Sequence, residues 1–275
     1  MDNLESLTPS QLASWAYQTS RIVDHTLDDA NLEARCPLGK GRYLLPPQHT
    51  LGQLDMLPLE LLTYVLLALD IPCLTTFRCV NRAAIGLVDS LHPYRVVLRH
   101  CPDILRAIVS IDARSFDCST LYETLSATKC EGCDRAGNYL YLITCKRLCH
   151  FCHTTNPDYF PVTATPGKLS RRRIRLFDRQ AVLKSALTGD ESIRQEDLTY
   201  GEPSRFMAII SAPFLDSTGL SADWGYFCAG CRESKGFHRN YRNKYTASGI
   251  VDHIRRYGPV GEVDLQPGMR HVPTV

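Results

Sequence analysis

The sequence lacks any apolar stretch approaching the roughly 20 residues that span a bilayer. Its first ten residues, MDNLESLTPS, have neither the basic nor the apolar region of a secretory signal. We therefore expect an intracellular protein, in the cytoplasm or the nucleus, without membrane partners. An excess of charge is also missing, since 31 Lys+Arg minus 29 Asp+Glu gives +2. This balance excludes a histone-like or strongly acidic chain.

Common catalytic motifs are absent too. The chain has no Gly-rich phosphate loop, no H-E-x-x-H and no G-x-S-x-G. It also has no recognisable WD, leucine-rich or kelch repeat. With 275 residues, 44% of them hydrophobic, it is nevertheless long and apolar enough to bury a substantial core. We expect a folded protein and rank an enzyme, with a Cys/His nucleophile or a catalytic zinc, last among its functions.

Cysteine is the abundant residue, with 12 in the chain. In a reducing compartment, closely spaced cysteines more often hold metal than form disulfides. Five cysteines stand singly among apolar residues and are expected to be small buried hydrophobes: Cys36, Cys73, Cys79, Cys101 and Cys118. The remaining cysteines are bunched and need a different explanation.

A zinc site is predicted by two C-x2-C pairs, Cys130/Cys133 and Cys149/Cys152, separated by 15 residues. Each tight turn brings two thiolates to one metal, and two turns complete a tetrahedron. The β-prone run YLYLIT lies between the pairs, so we expect a small knuckle-and-ribbon element. A site with four protein ligands is closed, which favours a structural role over a catalytic one.

Three neighbours leave the ligand set open, because Cys145, His150 and His153 could each replace one of the four cysteines or simply lie nearby. Four unligated core thiols remain an alternative. A redox role is weaker, because no βαβ context accompanies these pairs.

A second metal site is indicated by a third C-x2-C pair, Cys228 and Cys231. His238 and His253 are the candidate partners, although their spacing matches no standard finger. His253 falls on a helix predicted to begin at Thr246 and end at Gly258. Taken alone, a histidine on such a helix is more often a surface or internally satisfied residue.

Upstream, residues 54–92 predict three short helices rich in leucine. Pro58 suits the start of the first, Asp70 with Pro72 begins the second, and the third starts at Asn81. A unit this small cannot bury all of its apolar side chains internally, so some are expected to face a partner.

These residues carry a family resemblance. A Leu-Pro-x-Glu-Leu opening, a Leu-Asp turn and a Val-Asn-Arg third helix resemble the F-box, and here they stand as Leu57–Leu61, Leu69-Asp70 and Val80–Arg82. The chain also resembles a fungal group of F-box proteins over residues 54–153, through residues 91–95, the first C-x2-C, residues 137–142 and residues 147–152.

The resemblance implies a substrate-recognition adaptor of an SCF-type cullin–RING ubiquitin ligase. Such a protein binds the linker subunit of the cullin assembly and holds a protein substrate near the ligase, accelerating transfer by proximity. The family positions expected to contact the linker are Leu57, Pro58, Leu61, Leu62, Leu66, Leu74 and Val80.

The alternative is a zinc-containing nucleic-acid or chromatin protein. The basic run Arg171-Arg172-Arg173 and the alternation of basic and aromatic residues at 237–245 motivate it. Both runs are also compatible with a solvated basic surface that binds no nucleic acid, and we favour this interpretation.

Together these features predict a mostly α fold with a small β component, namely a helical F-box unit followed by a zinc-stabilised α+β region. The expected divisions are a partly flexible extension (1–50), the F-box (54–92), a helical connector (93–128), a zinc knuckle (129–153) and an α+β region with the second candidate site (154–275).

Overall fold

The computed structural model describes residues 8–18, 24–29, 31–36, 38, 46–164, 175–188, 198–199, 206–232, 239–263 and 266–272. Over these residues the chain is predominantly helical, with small two- and three-stranded sheets, as the sequence predicts. None of the described helices is both long and apolar enough to span a bilayer.

The α-helices are, in chain order, α1 (Pro9–Trp15), α2 (Leu32–Arg35), α3 (Leu59–Leu67), α4 (Ile71–Arg78), α5 (Arg82–Ser90), α6 (His92–His100), α7 (Pro102–Ile111), α8 (Cys118–Ser126), α9 (His150–Thr155), α10 (Arg179–Thr188), α11 (Ala229–Arg232) and α12 (Ala247–Tyr257).

The strands are short: β1 (Ala16–Tyr17), β2 (Tyr139–Tyr141), β3 (Lys146–Leu148), β4 (Val162–Ala164), β5 (Arg175–Phe177), β6 (Leu198–Thr199), β7 (Ile209–Ser211), β8 (Phe214–Leu215), β9 (Ala222–Asp223), β10 (Phe227–Cys228), β11 (Val260–Val263) and β12 (Gln266–His271). Every pairing among them is antiparallel, and the sheets are β3–β2–β7, β5–β4–β6, β8–β9, β1–β10 and β11–β12.

Helices α3 to α8 enclose the main hydrophobic core. The starts of α4 and α5 are fixed by side-chain caps: Asp70 accepts from the Cys73 N–H, and Asn81 accepts from the Ala84 N–H. The largest fully buried aliphatic side chains of these helices are Ile71, Leu74, Ile104, Leu105, Ile108, Leu121 and Leu125. Residues 70 and 81 therefore start the second and third helices as the sequence predicts.

A buried ion pair joins α4 to α5. The guanidinium of Arg78 donates to Asp89 through Nε at 2.7 Å and through Nη2 at 3.0 Å. Arg78 is almost fully buried, so this two-pronged contact fixes the angle between the two helices.

The residues predicted to contact a linker divide into two groups. Leu57, Pro58, Leu61 and Val80 are exposed. Leu62, Leu66 and Leu74 instead lie in the main core. These three leucines pack the helices against one another. In this conformation they have no exposed surface that a partner could contact.

Strand β2 lies at the centre of the first three-stranded sheet and separates two cores. Leu140 faces the main core, whereas Tyr139 and Tyr141 on the opposite face pack into a second cluster with Leu148 and Tyr159. This alternation is the two-residue period of a strand. The sheet thereby attaches the cysteine-rich segment directly to the helical half.

Helix α8 begins after its cap Asp117, whose side chain accepts from the Thr120 N–H at 2.8 Å. One expectation differs from the structure. Within the segment expected to be a loose extension, helix α1 ends at Trp15, and Leu32 and Leu38 are buried in the main core.

The two kinds of leucine in α3 give a stability prediction. Leu66 is 3% exposed and Leu61 is 55% exposed. Leu66→Ala should lower the free energy of unfolding by about 2–5 kcal/mol, because it removes buried contacts and leaves a cavity. Leu61→Ala should change it by no more than about 0.5 kcal/mol. Urea denaturation of both variants checks this, and equal losses would contradict the placement of α3.

Candidate metal centres

The first centre is formed by the two C-x2-C pairs that flank β2 and β3. Cys130 and Cys133 lie on the turn before β2, Cys149 caps helix α9, and Cys152 lies within that helix. The turn is held in place by main-chain bonds from Cys130 N–H to Arg135 O and from Glu131 N–H to Arg147 O, both 2.8 Å long. The four sulfurs lie within 4.8 Å of one another.

The spacing of these sulfurs fits a tetrahedral metal site. A metal with sulfur ligands at about 2.3 Å requires sulfur–sulfur edges of about 3.8 Å. The Sγ atoms of Cys133 and Cys149 are 3.6 Å apart, too far for a disulfide and close to that edge. Four cysteines around one metal would leave no open position for a further ligand.

Hydrogen bonds to sulfur favour a thiolate at Cys149 of this centre. The Cys149 N–H donates to Cys130 Sγ at 3.2 Å, and the Cys152 N–H donates to Cys149 Sγ at 3.5 Å. A hydrogen bond from the Cys130 thiol, supported by donation from Cys152 and Cys133, holds the pKa of Cys149 well below that of a free thiol. A thiolate is the form that binds metal.

Gly132 is required by the close packing of the first turn. A Cβ at this position would lie 2.9 Å from Cys152 Sγ. Any larger residue would therefore press on one of the four sulfurs.

The three ambiguous neighbours lie outside this group. Cys145 is buried in the main core, and its Sγ is 3.6 Å from Thr124 Oγ1. The His153 ring packs against Tyr139 with centroids 4.4 Å apart, and His150 Nε2 accepts from Arg242 Nε at 3.4 Å. The four cysteines form the donor set without them.

The second centre combines two cysteines and two histidines. Cys228 ends β10, Cys231 lies on α11, His253 lies on α12, and His271 ends β12. The donor atoms of all four lie within 4.8 Å of one another. As predicted from sequence, helix α12 is capped by Thr246 and followed by Gly258, and this places His253 on its buried face.

The edges of the second group also fit a tetrahedron. Cys231 Sγ lies 3.3 Å from His253 Nε2 and 3.5 Å from His271 Nε2, and Cys228 Sγ lies 3.3 Å from His271 Nε2. The two histidine nitrogens are 3.2 Å apart. Ligands at about 2.3 Å for sulfur and 2.0 Å for nitrogen give sulfur–nitrogen edges of about 3.5 Å and nitrogen–nitrogen edges of about 3.3 Å.

His271 is positioned by a second hydrogen bond. Its Nδ1 donates to the Gly258 carbonyl oxygen at 2.7 Å, which leaves the Nε2 lone pair facing the centre. A hydrogen bond from the Cys231 thiol is the main cause that lowers the pKa of Cys228. His271 therefore joins Cys228, Cys231 and His253 in this group, whereas His238 lies outside the described residues.

Two cations of the basic and aromatic run at 237–245, Arg242 and Lys244, lie within the fold. Arg242 pairs with Asp24, which also accepts from the Tyr139 hydroxyl. Lys244 lies 5.2 Å from the Phe227 ring centroid, and burial lowers its pKa. These two cations are therefore not presented to solvent as a phosphate-binding surface. Residues 171–173, the other basic run, lie outside the described residues.

Arg147 joins the first centre to the helical core. It is 3% exposed and donates to the carbonyl oxygens of Thr124 and Leu125 at 2.9 Å, of Pro213 at 2.6 Å, and of Gly137. The first two carbonyls end helix α8, where a positive charge is favoured by the helix dipole. Burial lowers the pKa of Arg147 to about 10, so the side chain remains a cation at neutral pH.

Of the single cysteines, Cys101 and Cys118 are buried, and burial raises the pKa of each to about 12. They are small core residues, as expected. Cys36 and Cys73 are half-buried, and Cys79 is exposed, unlike the expectation for it.

The two groups predict two bound metal ions per chain. Cys149→Ser and His271→Ala should each lower the content to one, because each removes a ligand from a different centre. Cys79→Ser removes an exposed cysteine outside both groups and should leave the content at two. Elemental analysis after reducing purification measures this. A metal-free parent chain, or unchanged content in both ligand variants, would contradict the assignment.

Arg147 should be essential to stability. Arg147→Met keeps much of the aliphatic stem but leaves four carbonyls without their donor, so it should cost about 3–5 kcal/mol in free energy of unfolding. The control Arg114→Met removes an exposed arginine paired with Asp112 and should change little. Denaturation at fixed metal concentration compares them. Equal unfolding free energies would show that the carbonyl contacts contribute nothing.

Comparisons with known proteins identify no relative: no family model, no curated protein and no solved structure matches this chain.

Proposed function

We propose that both centres hold structural zinc and that the chain is an F-box adaptor of an SCF-type ubiquitin ligase. In this proposal the N-terminal helices bind the linker subunit, and the zinc-containing region binds a protein substrate. The observation that supports this most is the exposed apolar side chains on the helices that resemble the F-box. Apolar side chains at exposed positions add no stability to the isolated chain.

This surface, which we call the α3 face, is formed by residues on and beside α3. The exposed large side chains are Met56, Leu57, Leu59, Leu61, Tyr64 and Val65, close together in sequence, and Val80 after α4. Exposed apolar side chains in such number are typical of a protein-binding site. Burial of a side chain such as leucine on association contributes about 1.5–3 kcal/mol.

The buried leucines support the proposal indirectly. Leu62 and Leu66 are on the opposite side of α3 and pack into the main core, as does Leu74 of α4. They fix the helix so that the α3 face is formed before any partner arrives. A pre-formed surface binds without the conformational cost of ordering the segment.

The metal centres are assigned to zinc from their donors. Four thiolates and the combination of two thiolates with two imidazoles are the common closed zinc sets. Closed sites support structure, so this assignment agrees with a non-catalytic adaptor whose effect is to raise the local concentration of a substrate. No observation favours the nucleic-acid alternative, because the described cations at 242 and 244 lie within the fold.

The proposal is tested by co-purifying the chain with a fungal linker subunit. The parent chain should form a one-to-one complex. The double variant Leu61→Glu with Val65→Lys should weaken binding by about 3 kcal/mol or more, roughly a hundredfold in Kd, because it places charge in the apolar interface. Glu and Lys four residues apart favour the helix, so α3 should remain folded.

A matched control is available on other parts of the surface. Leu183→Glu with Leu220→Lys changes two exposed leucines in the same way and should bind the linker like the parent chain. Circular dichroism and zinc content verify that every variant is folded. No complex with the parent chain, or equal binding by both double variants, would reject the adaptor proposal.

A further inference from the structure

A cationic cavity lies between helix α6 and the loop that joins β8 to β9. Its volume is about 280 Å³, and it is lined by His92, Arg95 and Arg99 of α6 and by loop residues 218–220. None of these residues belongs to either metal group or to the α3 face.

The loop side of the cavity is rigid. Asp216 accepts hydrogen bonds from the N–H groups of Thr218, Leu220 and Ser221 and from the hydroxyls of Thr218 and Ser221. These bonds lower the pKa of Asp216, which is an anion at neutral pH. Its charge is satisfied within its own loop.

The loop is also fixed against α6. Gly219 has φ +70°, and a Cβ there would lie 2.6 Å from Val96 Cγ2, so only glycine allows the close approach. The Gly219 carbonyl is 3.2 Å from His100 Nε2, and the Tyr122 hydroxyl donates to Ser217 O at 3.3 Å. The cavity is therefore built by packing, and it does not depend on a mobile loop.

Among the residues that the structure describes, the arginines on the helix side of the cavity have no acidic partner. Arg95 and Arg99 are exposed, one turn apart, and within the described chain neither pairs with a carboxylate. Residues four apart on a helix have Cβ atoms about 5–6 Å apart, so both guanidinium groups can reach one ligand. The cavity thus offers two fixed positive charges beside the His92 ring.

We propose that this cavity binds a phosphate monoester carried on a side chain of a partner protein. A phosphorylated side chain has a charge of about −1.5 to −2 and three acceptor oxygens, which two guanidinium forks can share. A carboxylate has one charge and is satisfied by a single fork. Phosphate therefore matches the donors of this site more fully.

The rim of the cavity indicates a peptide as the carrier. Leu220 is 75% exposed beside the arginines and offers apolar contact to a residue flanking the phosphate. Single-stranded nucleic acid is typically bound by stacked aromatic rings along a basic track, and among the described residues that line this cavity only His92 carries a ring.

The test uses two immobilised degenerate peptide pools that are identical except that the central residue is phosphoserine or serine. The full-length, metal-loaded chain should bind the phosphoserine pool at least tenfold more than the serine pool, because the phosphate supplies the charged contacts. Arg95→Gln with Arg99→Gln should remove that preference. Arg35→Gln with Arg175→Gln, which neutralises two exposed arginines elsewhere, should retain it.

Competition distinguishes the sources of phosphate. Inorganic phosphate should displace the retained chain only at concentrations at least tenfold above those of a recovered phosphopeptide, since it lacks the flanking contact. Equal binding to both pools, retention by the Arg95/Arg99 variant, equal competition by inorganic phosphate, or tighter binding to an oligothymidine would each overturn the proposal. Linker binding by the Arg95/Arg99 variant should be unchanged, so the adaptor proposal succeeds or fails separately.

Discussion

The structure of residues 129–155 depends on the close approach of four cysteine sulfurs, those of Cys130, Cys133, Cys149 and Cys152. Strands β2 and β3 have three residues each, and strands this short are not stable as an isolated hairpin. The turn at Cys130 and the start of α9 at Cys149 hold both ends of the hairpin against each other. Structural zinc in such a site contributes about 10–16 kcal/mol in small zinc peptides, more than the hairpin itself can.

Arg147 transmits this constraint to the helical half. Its guanidinium binds carbonyls from the end of α8, from the turn at Gly137 and from Pro213, so one buried cation joins three segments. The second centre acts similarly at the other end of the chain. His271 of the terminal hairpin meets Cys228, whose strand pairs with Ala16 near the N-terminus. Contacts of Arg147 and of the second centre thus hold together segments that are distant in sequence.

Local chemistry made part of this structure predictable. C-x2-C turns bring sulfurs together over four residues, and the caps at Asp70, Asn81 and Thr246 act within one helical turn, so the sequence predicts them. His271 was missed because its meeting with Cys231 depends on the packing of α11 against a hairpin 40 residues away. The inner and outer faces of α3 could not be separated from the sequence, since leucine occupies both sides. Leu62 and Leu66 are buried, whereas Leu61 is exposed.

The central claim is that two closed tetrahedral centres, one with four sulfurs and one with two sulfurs and two nitrogens, organise the chain. X-ray absorption at the zinc edge of the reduced, metal-loaded protein measures it directly. Averaged over both centres, each zinc should have three sulfur neighbours at about 2.3 Å and one nitrogen at about 2.0 Å. A shell dominated by oxygen and nitrogen, or a fifth or sixth ligand from solvent, would contradict the account.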